Sequence, residues 1–269
     1  MHVVVCIKQV PDTTNVRINP KTNTLMREGV ESIINPFDEY ALEEGLRLKD
    51  AVGAKVTVVT MGPPQATIVL REALARGADD AFLVSSRAFG GADTLATSYT
   101  LSMAIRKACG NKVPDLVLFG KQAIDGDTAQ VGPGVSEFLG VPLVTYVKEL
   151  AATGKGRYRV VSVMDDGEHE IEGAFPCVMT VLKEASTPRF APLAGWRTAA
   201  KAEIAVLDEK SLAADPIRIG LTGSPTKVVT IFPPPTKGGG EKVDVRGGDA
   251  SAGAQAIVAF LQKKGLVKA

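Results

Sequence analysis

Residues 116–133, LVLFGKQAIDGDTAQVGP, contain the pattern around which the rest of the chain is organised. Four successive apolar residues, 116–119, predict a strand buried in a parallel sheet, and Gly120 ends it. After a polar loop, apolar residues at helical spacing predict a helix over 128–139. Unpaired N–H groups and the helix dipole favour an anion at such a helix start, so the stretch predicts a phosphate site.

The loop between this strand and helix has residues suited to such a site. Asp127 or Thr128 is expected to cap the helix, and Gly126 and Gly132 to let a ligand approach the backbone. The stretch contains neither the GxxxxGK[ST] phosphate loop nor the GxGxxG dinucleotide fingerprint. On spacing alone, an ordinary connection between a strand and a helix fits equally well.

Composition limits the class of protein. The chain has 269 residues, of which 45% are hydrophobic, enough for one large domain with appendages. A net charge of +1 without Lys or Arg runs predicts no nucleic-acid partner. No apolar run is long enough to span a membrane, and the N-terminus leads into a strand without signal-peptide features. We therefore expect a cytoplasmic location, with a matrix location left open.

The reactive side chains are few and scattered. The three cysteines lie far apart, and Cys6 and Cys177 fall within apolar strand patterns typical of buried thiols. His2 begins a strand, and His169 lies in an acidic turn. We find no cluster with metal-ligand spacing and no nucleophile triad, so we predict neither metal nor catalytic residues. A redox carrier needs no such groups, because its cofactor does the chemistry.

Strands and helices alternate over residues 1–145, which predicts an α/β fold with a parallel sheet and helices on both faces. Ligands of such sheets bind at the carboxyl ends of the strands. The loops expected to converge there are residues 6–10, 61–62, 90–97 and 120–132.

The remaining segments have different patterns. Residues 17–26 predict a small hairpin, and the strands over 157–164, 168–173 and 178–182 should be antiparallel or mixed. Prolines argue against a helix over most of residues 186–200, where Phe190 and Trp196 are expected to anchor a surface loop to the core. Residues 231–240 predict an extended, flexible linker, and 252–265 an amphipathic helix.

Three strings carry a family resemblance: VVVCIKQVPD, NPFDEYALEEGLRLKD and GKQAIDGDTAQVGP closely resemble the beta subunits of electron-transfer flavoproteins. The resemblance implies a fold like that of the adenine-nucleotide alpha hydrolases rather than the dehydrogenase Rossmann domain. It implies a nucleotide-binding α/β domain over 1–230 and a linker and C-terminal arm over 231–269 that contacts an alpha subunit. Within the first domain, residues 183–203 would form the recognition loop, with Leu193 anchoring partner dehydrogenases.

The resemblance also implies a nucleotide pocket. The predicted cofactor-binding residues are Cys6, Asn35, Pro36, Phe37, Asp38, Met61, Asp93, Thr94, Thr97, Gly120, Gln122, Ala123, Ile124, Asp125, Gly126, Asp127, Thr128, Ala129, Gln130, Val131 and Gly132.

Residues 89–98 and 126–132 resemble the bifurcating members of the family. In those members the beta-subunit FAD takes a hydride from NADH. Its electrons divide between the alpha-subunit FAD, which serves an acyl-CoA-type dehydrogenase, and a low-potential ferredoxin or flavodoxin. The first alternative is a conventional subunit with structural AMP, in which Asp93 and Thr94 only cap the following helix. The remote alternatives are a free-standing nucleotide-binding stress-type protein and an enzyme related to ATP pyrophosphatases.

Overall fold

The computed structural model falls into two compact units, Met1–Thr230 and Ile231–Ala269, which are described separately. The described residues are 1–12, 17–19, 24–26, 32–154, 156–230, 238, 242–247 and 250–268, with backbone alone at 17–19 and 24–26. The predicted linker over 231–240 lies outside the described residues except for Gly238.

The described strands are, in chain order, His2–Cys6 (β1), Gln9–Pro11 (β2), Arg17–Asn19 (β3), Thr24–Met26 (β4), Ser32–Ile34 (β5), Lys55–Met61 (β6), Asp80–Val84 (β7), Leu116–Gly120 (β8), Leu143–Gly154 (β9), Arg157–Met164 (β10), Gly167–Ala174 (β11), Cys177–Val181 (β12) and Ala205–Leu207 (β13). The described α-helices are Pro36–Val52 (α1), Thr67–Arg76 (α2), Thr94–Ala108 (α3), Val131–Leu139 (α4), Leu193–Ala199 (α5) and Ala250–Lys263 (α6). Short 3₁₀ turns cover Pro64–Ala66, Arg87–Phe89 and Pro216–Arg218.

One large sheet organises the first unit, with the strand order β11-β10-β9-β12-β8-β1-β6-β7-β13. The strands from β9 through β12, β8, β1, β6 and β7 to β13 pair in parallel, whereas β9, β10 and β11 pair antiparallel. Strands β6 and β7, which follow β1 in this sheet, lie in order on one side of β1. The next strand, β8, lies on the other side of β1. The strand order therefore reverses between β1 and β8, which is the topological switch point of the sheet.

The central strands are apolar because both of their faces are covered. In β1 and β8, alternate residues enter two separate cores: Val5 and Leu118 one, Val4 and Val117 the other. Helices α1 and α2 cover the first face, and α3 and α4 cover the second. The predicted α/β class, with helices on both faces of a mainly parallel sheet, is confirmed.

Several predicted elements agree with the structure. The pairing of β3 with β4 confirms the small hairpin, and β9 to β12 give the expected mixed arrangement. In the second unit α6 matches the predicted C-terminal helix closely. Within the described ranges, no helix is long and apolar enough to cross a membrane.

The start of α4 differs from the prediction. The helix begins at Val131, its N-cap position is Gln130, and no side chain caps it. The predicted cap at Asp127 or Thr128 was therefore wrong. The physical reason lies in the backbone, because Asp127 and Ala129 each have a φ of 54° and cannot belong to a right-handed helix.

Candidate nucleotide site

The site lies at the switch point of the sheet. Neighbouring strands β1 and β8 pair from Val3 with Leu116 to Cys6 with Phe119. Beyond their carboxyl ends the chain leaves β1 toward the face covered by α1, and leaves β8 toward the face covered by α4. In doubly wound sheets, the ligand-binding crevice lies where the chain diverges in this way, so we assign the candidate crevice to the space beyond these two strand ends.

Asp38, in the first turn of α1, ties the two strand ends together. Its carboxylate accepts hydrogen bonds from the backbone N–H of Lys8 at 2.7 Å and of Gly120 at 3.1 Å. A Cβ atom on Gly120 would lie 2.5 Å from both Asp38 Oδ1 and the carbonyl carbon of Phe37. Glycine is therefore required at the end of β8 because α1 begins against its backbone.

Burial changes the acidity of this carboxyl group. Burial raises the pKa of Asp38 from 3.8 to about 7, although hydrogen bonds to it and the charge of Lys8 act in the opposite direction. Asp38 therefore titrates near neutral pH at the base of the crevice.

Asn35 holds the loop that follows β8. It lies at the N-cap position of α1, as predicted, but its side chain makes no capping bond. Instead its Nδ2 donates to the carbonyl oxygen of Gln122 at 2.8 Å, and its Oδ1 accepts from the N–H of Ile124 at 3.1 Å. An ion pair of 2.6 Å between Lys8 Nζ and Asp125 Oδ1 fastens the same loop to the end of β1.

The next part of the loop presents unpaired backbone donors. The carbonyl oxygen of Ala123 accepts from the N–H groups of Gly126 and Asp127, which closes a turn. The N–H groups of residues 128–132 then donate to no acceptor among the described residues. A left-handed Ala129 followed by a right-handed Gln130 is the alternation that turns successive N–H groups into an anion-binding concavity.

The starts of α3 and α4 meet beside this concavity. Thr94 Oγ1 donates to Gln130 Oε1 at 3.1 Å, and Ser98 Oγ donates to the carbonyl oxygen of Val131 at 3.2 Å. A Cβ atom on Gly134 would overlap the Ser98 side chain, so the two helices approach closely there. The structure thus brings together the predicted residues of the loops that follow β1, β7 and β8 and precede α1.

Each carboxylate oxygen of Asp93 accepts two hydrogen bonds from other residues of the protein. Its Oδ1 accepts from the N–H groups of Leu95 and Ala96, which caps α3 as the capping alternative predicts. Its Oδ2 accepts from the N–H of Thr226 at 3.1 Å and from Thr226 Oγ1 at 2.9 Å. Although burial raises the pKa of Asp93, these bonds outweigh it and lower the pKa. No acceptor position of this carboxylate is left for a ligand.

The two loop glycines have different roles. A Cβ atom on Gly126 would meet nothing within 4 Å, so this residue faces open space. A Cβ atom on Gly132 would lie 2.9 Å from Thr180 Cγ2 and close to the Phe119 ring. The side of Gly132 on which a Cβ atom would stand therefore faces the sheet on which α4 packs, and the approach of a ligand to its backbone stays a prediction.

Other predicted site residues lie at the margins of the crevice. The Cys6 side chain is buried in the second core, and burial, followed by the charge of Asp38, raises the pKa of its thiol. Pro36 and Phe37 in α1, Met61 at the end of β6 and Thr97 in α3 are partly exposed. Lys8 was not among the predicted cofactor-binding residues, although it lies in the loop 6–10 that was expected to converge on the site.

The predicted recognition loop, residues 183–203, is fixed at both ends by arginines. Arg189 donates through Nε to both Glu43 oxygens and through Nη2 to Glu43 and to Asp50 at 2.8 Å. Arg71 donates to the carbonyl oxygen of Ala199 at 2.6 Å, at the end of α5.

Between these ends the segment is exposed and apolar. Leu193 is 80% exposed and Phe190 is 97% exposed. The prediction that Phe190 anchors the loop to the core was wrong, because polar contacts of Arg189 do so. Trp196 is half-exposed at 44%.

The sheet topology and the loop geometry define an α/β protein with a candidate anion site at its switch point. The family model of the electron transfer flavoprotein domain matches residues 22–212. The chain belongs to the electron transfer flavoprotein family, as a beta subunit.

Three relatives cover nearly the full chain. The electron transfer flavoprotein subunit beta of Megasphaera elsdenii is 49% identical over 244 residues, which are 89% of this chain and 90% of that protein. Protein FixA of Azotobacter vinelandii is 48% identical over 97% of this chain and 94% of its own length. The caffeyl-CoA reductase-Etf complex subunit CarD of Acetobacterium woodii is 47% identical over 99% of this chain and 100% of its own length.

Proposed function

We propose that this beta subunit binds FAD in the crevice between β1 and β8, and that the bound flavin accepts a hydride from NADH. In this proposal the electrons divide between an alpha-subunit FAD and a low-potential acceptor, ferredoxin or flavodoxin. The observation that carries the proposal is the concavity of unpaired N–H groups over residues 128–132. Its support from the sequence is the resemblance of residues 89–98 and 126–132 to bifurcating members.

The pyrophosphate group fits the main chain rather than a side-chain cation. Lys8 is already paired with Asp125, and Lys121 Nζ lies over the Tyr146 ring, 5.6 Å from its centroid. The neutral donors of residues 128–132 and the positive end of α4 supply the remaining attraction. We therefore expect the affinity for phosphate to depend on loop shape, which Asn35 and Asp38 maintain through their contacts with the strand ends.

Thr94, Thr97 and Gln130 are the side chains proposed to face the ribityl chain. Thr94 and Gln130 already bond each other beside the concavity, and both present oxygen atoms at its edge. Asp93 is excluded from direct contact, since all of its acceptor positions are occupied, and acts by fixing the start of α3. When bound, a flavin supplies hydride acceptance and one-electron transfer, while these residues bind and orient it.

A conventional subunit with structural AMP is the second candidate. The specific observation in its favour is the saturation of Asp93, which leaves fewer side-chain groups for the part of a flavin beyond the phosphates. AMP would use the same N–H concavity with a single phosphate.

The proposed partners follow the family. We propose an alpha subunit, contacted by residues 231–269 as a C-terminal arm, because α6 exposes Ile257 and Phe260. The Acetobacterium woodii relative is named as a subunit of a caffeyl-CoA reductase-Etf complex. By extension, we propose that an acyl-CoA-type dehydrogenase docks on Leu193.

Counting the released nucleotides tests the proposal. The purified heterodimer is denatured, and FAD and AMP are quantified per complex. We expect two FAD and no AMP, whereas one FAD with one AMP would replace the proposal by the conventional candidate.

A double variant locates the flavin. Thr94→Val with Thr97→Val should lose one of the two FAD and the ability to take a hydride from NADH, because each lost hydrogen bond costs about 0.5–1.5 kcal/mol. Exposed Thr222→Val is the matched control and should keep both. Retention of both flavins in the double variant would contradict the proposed contacts.

A further inference from the structure

Arg218 is held in a fixed orientation by two aromatic rings. Its guanidinium carbon lies 4.2 Å from the centroid of the Tyr99 ring and 5.4 Å from that of Phe138. The two rings come from α3 and α4 and meet edge to face with centroids 5.7 Å apart. Cation–π contacts with two half-buried rings restrict where an exposed guanidinium group lies.

The donors of this guanidinium group are all free. Across the part of the chain that the structure describes, the Arg218 side chain makes no hydrogen bond and no ion pair. Arg71 and Arg189, in contrast, are engaged with carbonyl or carboxylate oxygens. An arginine held by such contacts, whose donors have no partner among the described residues, is available for the two parallel hydrogen bonds that a carboxylate accepts.

Apolar side chains surround Arg218. Ile217 is 71% exposed, Leu221 59% and Leu95 49%. Leu95 and Ile217 line a concavity of about 240 Å³ whose wall also includes Tyr99, Phe138 and Arg218. An arginine within exposed apolar and aromatic groups has the composition of an interface hot spot.

The backbone that carries these residues is already ordered. The Tyr99 hydroxyl accepts from the N–H of Asp215 at 3.2 Å, and the N–H of Leu221 donates to the carbonyl oxygen of Gly90 at 3.1 Å. Thr226 is bonded to Asp93 at the start of α3. Binding here would therefore require little further ordering, which favours affinity.

We infer that Arg218, with Leu95, Ile217 and Leu221, forms a docking surface for an alpha-subunit segment that presents a carboxylate among apolar side chains. This inference rests on the proposed heterodimer. Charge complementarity argues for the acidic partner group, because burying Arg218 without one would leave an unpaired charge. Two more apolar residues further along the chain, Val228 and Val229, are also exposed. The exposed apolar surface is therefore larger than a small ligand would cover.

The location of this surface separates it from the proposed dehydrogenase contact. Leu193 belongs to α5, which packs against α2 on the first face of the sheet. Arg218 lies against α3 and α4 on the second face. The two partners therefore have separate surfaces.

The test measures the dissociation constant of the purified heterodimer by sedimentation at decreasing concentration. Arg218→Ala should raise Kd about tenfold or more, the range of an interface hot spot. Arg218→Lys should raise it less, because lysine keeps the charge but not the planar donors. The matched control is Arg159→Ala, since Arg159 is also exposed but is paired with Glu170 on the hairpin of β10 and β11, and it should leave Kd unchanged.

A charge-reversal pair tests the sign of the partner group. Ile217 is exposed, so both Ile217→Asp and Ile217→Lys should fold. Facing an acidic partner, Ile217→Asp should raise Kd several-fold more than Ile217→Lys. An Arg218→Ala heterodimer with unchanged Kd, or equal effects of the two Ile217 variants, would overturn this inference but leave the proposed function intact. Wild-type subunits that do not associate would overturn the proposed function as well.

Discussion

Replacing Asp38 by asparagine should remove a pH dependence that its buried carboxyl group imposes on stability. The folded-state pKa of Asp38 is raised from 3.8 to about 7 because the group is buried. Between these pH values the folded protein binds more protons than the unfolded chain. The free energy of unfolding therefore falls as pH rises through this window, and the loss is complete above the folded-state pKa.

The magnitude follows from the pKa shift. From pH 5 to pH 8 the wild type should lose about 2–3 kcal/mol relative to Asp38→Asn, which cannot titrate. For a chain of this size, that loss corresponds to about 5–10 °C in Tm. The asparagine also turns an amide donor toward the N–H of Lys8 or Gly120, but this cost is the same at every pH and cancels.

The assay is thermal unfolding of the wild-type and Asp38→Asn heterodimers from pH 5 to pH 8 at one saturating nucleotide concentration. The Tm of the wild type minus that of the variant should fall as pH rises. Asp165→Asn is the control, because the exposed Asp165 side chain makes no hydrogen bond with any residue the structure describes. A difference that stays constant, or that grows with pH, would refute the assigned role of Asp38.

Three further predictions concern the end of β8 and the predicted recognition loop, residues 183–203. Gly120→Ala should strip nucleotide from the complex and cost about 3 kcal/mol of stability through overlap with Asp38, whereas Gly126→Ala should retain nucleotide, as absorbance after gel filtration will show. Arg189→Ala should leave buried Glu43 unpaired, cost about 3–5 kcal/mol and speed hydrogen exchange over residues 186–192; unchanged exchange would contradict this role. Leu193→Ala should weaken dehydrogenase binding by about 2 kcal/mol or more without loss of flavin, and a variant that couples normally would exclude Leu193 as the anchor.

The sequence predicted the parts of the fold that depend on local pattern. Apolar runs such as 116–119 identify buried parallel strands, because both faces of the strand are covered. The alternation of these runs with helices predicts the sheet, and its switch point then predicts where the loops converge. The convergence around Asn35 came from the family resemblance, since no local pattern reveals a contact with Gln122.

The parts that could not be predicted depend on contacts distant in sequence or on backbone conformation. Asp93 is saturated by Thr226, which lies 133 positions away. The late start of α4 results from the left-handed Asp127 and Ala129, and alanine rarely adopts this conformation, so the sequence did not predict it. Helix α5 follows Pro192, and the proline-rich stretch before it concealed the helix from a propensity argument.

The predicted recognition loop, residues 183–203, is attached to the domain by polar contacts that lie outside its exposed part. Arg189 and Arg71 form the two attachments, and neither belongs to the exposed stretch around Leu193. The exposed side chains between the attachments, such as Phe190 and Leu193, can therefore be exchanged without altering the sheet. Under the proposed role of Leu193, a lineage can adopt a different dehydrogenase by changing a few residues there, while the proposed flavin site stays as it was.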